Sequence, residues 1–236
     1  LRIITTMKLK IITFELDIKS YFMKKYLLLL FCIGSTLYSC KKSTKNNIKP
    51  SLVVGIVVDQ MRYDYLTKYV NRYGDYGFKK LLNEGYSLTN AHFNYIGTYT
   101  AVGHASAYTG TSPNQHGVIG NNWYDKNLKK SIYCVDDATY SSVGTNSNSG
   151  KKSPKRMVTT TITDQVRLGQ NMRGKSIGIA IKDRSSVLPA GHTATGAYWY
   201  EGKDENKWIT SSYYMDELPT WVKDFNSNNK VDDYLS

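Results

Sequence analysis

Residues 51–59 read Ser51-Leu52-Val53-Val54-Gly55-Ile56-Val57-Val58-Asp59, and the fold turns on this stretch. It is a continuous, mostly β-branched apolar run with no polar alternation. Such runs suit strands covered on both faces, as in a parallel sheet. Asp59 falls at the carboxyl end, where open α/β sheets bind their ligands. Outward from it, residues 63–83 carry a helical pattern (Leu66, Tyr69, Val70, Phe78, Leu81, Leu82) interrupted near 74–77. A second strand is expected over 86–94 and a short helix over 101–110. Residues 123–124 and 132–135 pair as a hairpin across 125–130, before a Ser/Gly/Asn loop over 139–154. A helix over 163–170 precedes a strand over 177–181. A hairpin follows from 197–200 and 208–210, then a last helix over 218–225. Strands alternating with helices give an α/β domain.

The chain has 236 residues, 31 Lys+Arg against 19 Asp+Glu, and an aromatic fraction of 13% with 20 tyrosines. That length supports one large domain or two small ones, with a core that needs no staples. The aromatic content argues against general disorder. No apolar run approaches the roughly 20 residues of a membrane-spanning helix. The net charge of +12 resembles a nucleic-acid signal until it is divided along the chain. Residues 1–50 hold ten Lys/Arg and two Asp/Glu, so most of the basicity lies ahead of the body. Residues 51–236 are only +4, which makes nucleic acid a poor partner for them.

That basic leader reads as targeting. Met23, Lys24 and Lys25 precede the apolar run 26–37, then Leu37-Tyr38-Ser39-Cys40 and a lysine-rich tail. These are the parts of a secretory signal. Leu-x-Ser-Cys resembles a bacterial lipobox, with Cys40 as the lipidation site and Tyr38 bulkier than the usual residue there. A plain signal peptide with an incidental cysteine is the alternative. Residues 1–22 then read as an over-extended leader, 23–40 as the lipoprotein signal, 41–50 as a tether and 51–236 as the domain. The implied location is periplasmic, or anchored to the outer membrane of a Gram-negative bacterium, with the membrane touched only through the lipid. Cys134 remains as the single body cysteine outside the leader. Within an apolar strand-like stretch it reads as a buried structural thiol.

Gly169-Gln170-Asn171-Met172-Arg173-Gly174-Lys175-Ser176 has the spacing of a phosphate-binding P-loop. That motif works only between an entering strand and a departing helix, whose N-terminus faces the phosphates. Here a helix precedes and a strand follows. The stretch therefore reads as a helix-to-strand turn capped by Gly174.

Reactive groups collect at three predicted strand ends. Asp59 is a hard oxygen ligand for a divalent metal. Thr100 opens the helix in Thr98-Tyr99-Thr100-Ala101-Val102-Gly103-His104, where the dipole favours an alkoxide. Lys182 and Arg184 flank Asp183 and, two residues apart on extended chain, would project to one side as an anion clamp. Each has a bland reading as a turn cap, a helix N-cap or a solvated pair. Their joint placement favours the chemical one.

Residues 58–64 (VDQMRYD), 98–106, 110–125 (GTSPNQHGVIGNNWYD) and 182–196 (KDRSSVLPAGHTATG) resemble the alkaline phosphatase superfamily. The likeness is to threonine-nucleophile phosphomonoesterases of the PafA type, within the type I phosphodiesterase and nucleotide pyrophosphatase group. It covers residues 51–236 and implies a largely parallel central sheet flanked by helices, here incomplete. It also implies two zinc ions and a small phosphate ester substrate. Thr100 would be the nucleophile and a ligand of one zinc, with Asp59 a ligand of that same zinc. Asn121 would bond a phosphoryl oxygen, and Lys182 and Arg184 would hold the phosphoryl group. Phosphoryl transfer asks chiefly for positioning and charge neutralisation, which such a set supplies.

Gly97 and Val102 stand where such proteins often carry prolines, and Thr98 is a second candidate hydroxyl. His92, His104, His116 and His192 form no tight ligand pair in the sequence. The remaining zinc ligands implied by the resemblance come from the second half of a chain roughly twice this length. The expectation is thus the N-terminal half of an alkaline phosphatase-type hydrolase, inactive alone. A phosphodiesterase or nucleotide pyrophosphatase on the same framework, or a non-catalytic anion-binding surface lipoprotein, are the competing readings. The sequence leaves the oligomeric state open.

Overall fold

The computed structural model describes residues 50–228; the leader, the signal and Cys40, and all of the tether but Pro50, lie outside the described residues. The chain divides between Gly55 and Ile56, and every described helix and strand lies in the second unit. In chain order the second holds α1 (Tyr65–Lys68), α2 (Phe78–Glu84), α3 (Thr100–Thr109) and α4 (Pro113–His116). The hairpin β1 (Asn122–Asp125) and β2 (Lys130–Tyr133) comes next, then β3 (Ser142–Val143), α5 (Ile162–Gly169) and β4 (Ile177–Ala180). α6 (Asp183–Ala190), β5 (Gly196–Glu201), β6 (Lys207–Ser211) and α7 (Thr220–Ser227) complete it.

The architecture is α/β, and its four-stranded sheet runs β3-β6-β5-β4. β4 and β5 are parallel, joined by the crossover helix α6, while β5–β6 and β6–β3 are antiparallel. The sheet among the described residues is therefore mixed, with one parallel pair. β5 is buried along nearly its whole length, and its side chains alternate between two cores as a period of two requires. Ala197 and Trp199 join Ala101, Ala105, Cys134, Val187 and Leu188 on one face. Tyr198 joins Val143, Leu218 and Val222 on the other.

Close approach of α6 to β4 depends on Gly178. A Cβ there would meet the Ser186 carbonyl oxygen at 2.5 Å and the Ala190 Cβ at 2.9 Å. The Ser186 hydroxyl donates to the Gly178 carbonyl at 3.0 Å, closing the same contact.

Four expectations are corrected. Residues 52–58 form no strand and are exposed, Leu52 by 78% and Ile56 by 78%. A β-branched run gains nothing from extension unless neighbours supply ladder bonds and cover both faces, and no described strand pairs with it. Residues 86–94 are likewise irregular and exposed. The segment after β4 is helical from Asp183, with only Lys182 extended, so the clamp geometry imagined for an extended segment does not hold. α5 is capped at Gln170 rather than Gly174, with Asn171 and Met172 in left-handed conformation. The order helix, turn, strand around 169–176 is as read, and no helix leaves that turn.

Candidate active site

α3 begins at Thr100 because Tyr99 holds extended backbone as N-cap, with no side-chain cap to close the end. One orphan amide of that first turn, Ala101 N–H, donates to Asn121 Oδ1 at 2.9 Å. The Thr100 hydroxyl donates to Asp59 Oδ2 at 3.1 Å across 41 positions of sequence. Asp59 Oδ1 accepts its neighbour's amide, Gln60 N–H, at 3.0 Å. With its oxygen turned to the helix, Asn121 has its amide nitrogen free of any described partner.

The backbone carries the site onward. The Asn121 carbonyl accepts Cys134 N–H at 2.9 Å, which sets Tyr133 beside it. The Tyr133 hydroxyl donates to Asp183 Oδ1 at 2.5 Å and accepts Arg184 Nη1–H at 3.0 Å. Lys152 completes the group, 3.4 Å from Asp183 Oδ2 and 5.1 Å from the Tyr133 ring centroid. Burial and the Asp183 charge push the Tyr133 phenol far above its ordinary range, so it stays protonated. Burial lowers the Arg184 pKa, but Tyr133 and Asp183 outweigh it, and the guanidinium stays charged.

Four of the expected residues thus fall on one continuous path. Asp59 accepts from Thr100, Asn121 accepts from the next amide, Ala101 N–H, and Arg184 joins through Tyr133 and Cys134. Lys182 is exposed, and its side chain makes no hydrogen bond or ion pair among the described residues. Thr98 is exposed and likewise unbonded. Buried His104 on α3 lies within electrostatic reach of both Asp59 and Arg184, and burial lowers its pKa. Cys134 is fully buried, and its thiol is pushed up to about 12 by burial and then Asp183, which leaves no thiolate for chemistry.

The other histidines are structural. His192 Nε2 meets the Thr159 carbonyl at 3.2 Å, and exposed His92 meets Asn90 Oδ1 at 3.0 Å. His116 and Ser106 form a buried pair at 2.8 Å that resembles a catalytic dyad. However, His116 Nδ1 accepts Val118 N–H at 3.2 Å, so its proton sits on Nε2 and points at the serine oxygen. A histidine donating to serine cannot take its proton.

Sequence reasoning passed over Tyr133, Lys152 and the role of Asp183. Only Asp183 carried a signal, as the middle residue of the quoted triplet. Tyr133 and Lys152 reach the site from β2 and the loop before α5, at separations no local pattern reveals.

Among the described residues, no group of three His, Cys, Asp or Glu side chains could hold a metal ion. Asp59 Oδ2 and Thr100 Oγ1 are two adjacent oxygens that suit one hard or borderline cation as part of its shell. They fit such an ion as a partial site.

The type I phosphodiesterase / nucleotide pyrophosphatase family model matches residues 53–235. Alkaline phosphatase PafA of Elizabethkingia meningoseptica is 51% identical over 207 residues, which are 87% of this chain and 37% of that protein. Alkaline phosphatase PhoV of Synechococcus elongatus is 45% identical over 215 residues, 89% of this chain and 39% of that one. The crystal structure of wild-type PafA superposes with a TM-score of 0.75 at 54% identity, covering 77% of this chain and 35% of that one. A second crystal structure is of a PafA variant in which a threonine, an asparagine, a lysine and an arginine are substituted. The chain spans about two fifths of the length of the curated relatives it matches.

Proposed function

Since the chain belongs to the type I phosphodiesterase / nucleotide pyrophosphatase family, we propose that it carries the phosphate-binding and nucleophile-bearing part of a phosphate monoester hydrolase. The observation that carries this reading is the junction of Thr100, Asp59 and Asn121 at the start of α3. Thr100 Oγ1 attacks phosphorus as the ester P–O bond breaks and the alcohol leaves; water then cleaves the Oγ1–P bond of the phospho-enzyme, releasing phosphate and restoring the threonine. The Asn121 amide donates to a phosphoryl oxygen. Arg184, charged and held in place, balances the charge that develops on the transferred group. Asp59 and Thr100 would hold one zinc ion, which when bound favours the alkoxide form of the threonine. The wider zinc site needs ligands besides these two. Threonine, asparagine, lysine and arginine are also the four residue types changed together in the PafA variant, in the same order along the chain.

Cations at both Lys182 and Arg184 suit a doubly charged terminal phosphoryl group better than a diester. The expected result is that alanine at either position costs about tenfold more on a monoester than on a diester. A chimera carrying residues 51–236 in place of the matching stretch of one phosphatase relative provides the turnover assay. Equal losses on both substrates would favour the diesterase reading.

The exported lipoprotein remains our reading of the leader. Mature protein purified from membranes should carry acyl chains on an N-terminal Cys40, and stable attachment takes more than one chain. Mass spectrometry that finds an unmodified terminus at Lys41 or beyond rejects it.

A further inference from the structure

We infer that the Tyr133 hydroxyl is a positioning group that keeps Arg184 from collapsing onto its own neighbour Asp183. The inference rests on the phosphate-binding role proposed for Arg184. Both side chains bond the one hydroxyl, so the opposite charges lie close enough to pair directly if nothing intervened. The phenol intervenes with both of its capacities. Its proton goes to Asp183 Oδ1 at 2.5 Å, and its lone pair takes Arg184 Nη1–H at 3.0 Å.

Asp183 is satisfied from every side without the guanidinium. Oδ1 also accepts the Arg184 backbone N–H at 2.7 Å, and Oδ2 faces Lys152 Nζ at 3.4 Å. Lys152 is itself tied to Asp136 and lies under the Tyr133 ring, which fixes both. Arg184 therefore keeps unspent donors. Its Nε–H is buried and has no partner among the described residues, a state that a bound anion would relieve. Tyr133 acts through Arg184 and touches no substrate.

The test reads the Arg184 Nε–H resonance in 15N-labelled chain, without ligand and during titration with inorganic phosphate. Tyr133→Phe should move the ligand-free resonance, because the guanidinium then pairs with Asp183. It should also weaken phosphate binding about tenfold, the usual effect of losing a hydrogen bond to a charged group. Tyr133→Phe combined with Asp183→Asn should restore both readouts toward wild type, since the competing charge is gone. Asp183→Asn alone should leave affinity within about twofold, because Tyr133 still holds the guanidinium. A Tyr133→Phe resonance that stays in place without phosphate overturns the inference, as does a double variant no better than the single one. Arg184→Ala with unchanged phosphate affinity would instead count against the proposed function, leaving the ligand-free spectrum to judge Tyr133.

Discussion

Thr100→Ala is expected to abolish turnover, by at least about a thousandfold in kcat, when assayed in the chimera with a phosphatase relative. On the proposed function, the substitution removes the attacking oxygen and one of the two oxygens that would hold a metal. It should do so without loosening the fold. Thr100 is the first residue of α3 and caps nothing with its side chain, while alanine favours a helix at least as well. Unchanged thermal unfolding beside lost activity separates a chemical role from a structural one. Thr100→Ser keeps the hydroxyl and should retain roughly a tenth of the rate or more. If Thr98→Ala were the variant that lost activity while Thr100→Ala kept it, the nucleophile would lie two residues earlier. The 3.1 Å bond between Thr100 and Asp59 argues against that outcome, since Thr98 makes no such bond.

Asp164→Ala should be the most damaging change to stability, by about 3–5 kcal/mol. Asp164 is fully buried at the start of α5 and completes a capping box with Thr161. Its carboxylate accepts Thr161 N–H at 2.9 Å, Thr193 N–H at 2.7 Å and the Thr193 hydroxyl at 2.9 Å. Removing it leaves these donors unsatisfied in the interior. The loop it ties down directly follows α6, the helix that carries Arg184. Gly191 belongs to the same clasp, with φ at +81° and no room for a Cβ, which would lie 2.5 Å from Asp164 Oδ2. Burial alone would raise the Asp164 pKa, but the donors outweigh it and hold the carboxyl below its ordinary value of 3.8. A depressed carboxyl stabilises the fold above that value and loses its contribution as pH falls through the folded-state pKa. Asp164→Asn keeps the shape without the charge, so its stability should lie between the other two and vary less with pH in acid. Denaturant unfolding checks the series, and a loss below about 1 kcal/mol for Asp164→Ala would show that water replaces the carboxylate.

Local chemistry was enough for the elements that carry their own signal. The β1–β2 hairpin, α5, β4 and the β5–β6 hairpin follow from apolar periodicity and turn residues between Asn122 and Ser211. The absence of a P-loop at 169–176 followed from element order alone. Strand-end placement singled out Asp59, Thr100, Lys182 and Arg184, and the family resemblance of the short motifs added Asn121. What periodicity could not settle is whether a strand-like run finds a neighbour. Residues 52–58 have the composition of a covered strand, yet strand formation depends on ladder partners that the run itself does not encode.

The sequence by itself determined the α/β class, the family and the oxygen, amide and guanidinium groups available to the site. Tertiary structure alone decided how they meet. Asp59 reaches Thr100 over 41 residues, and Tyr133 reaches Asp183 over 50. The hairpin carrying Tyr133 closes the second separation, and the packing of α3 against α6 sets Thr100 and Arg184 on neighbouring helices. Tertiary packing also turned Lys182-Asp183-Arg184 from an extended clamp into a helix start, because the parallel β4–β5 crossover folds α6 back onto β4. Side-chain direction follows backbone conformation, so a two-residue spacing means one thing on a strand and another on a helix.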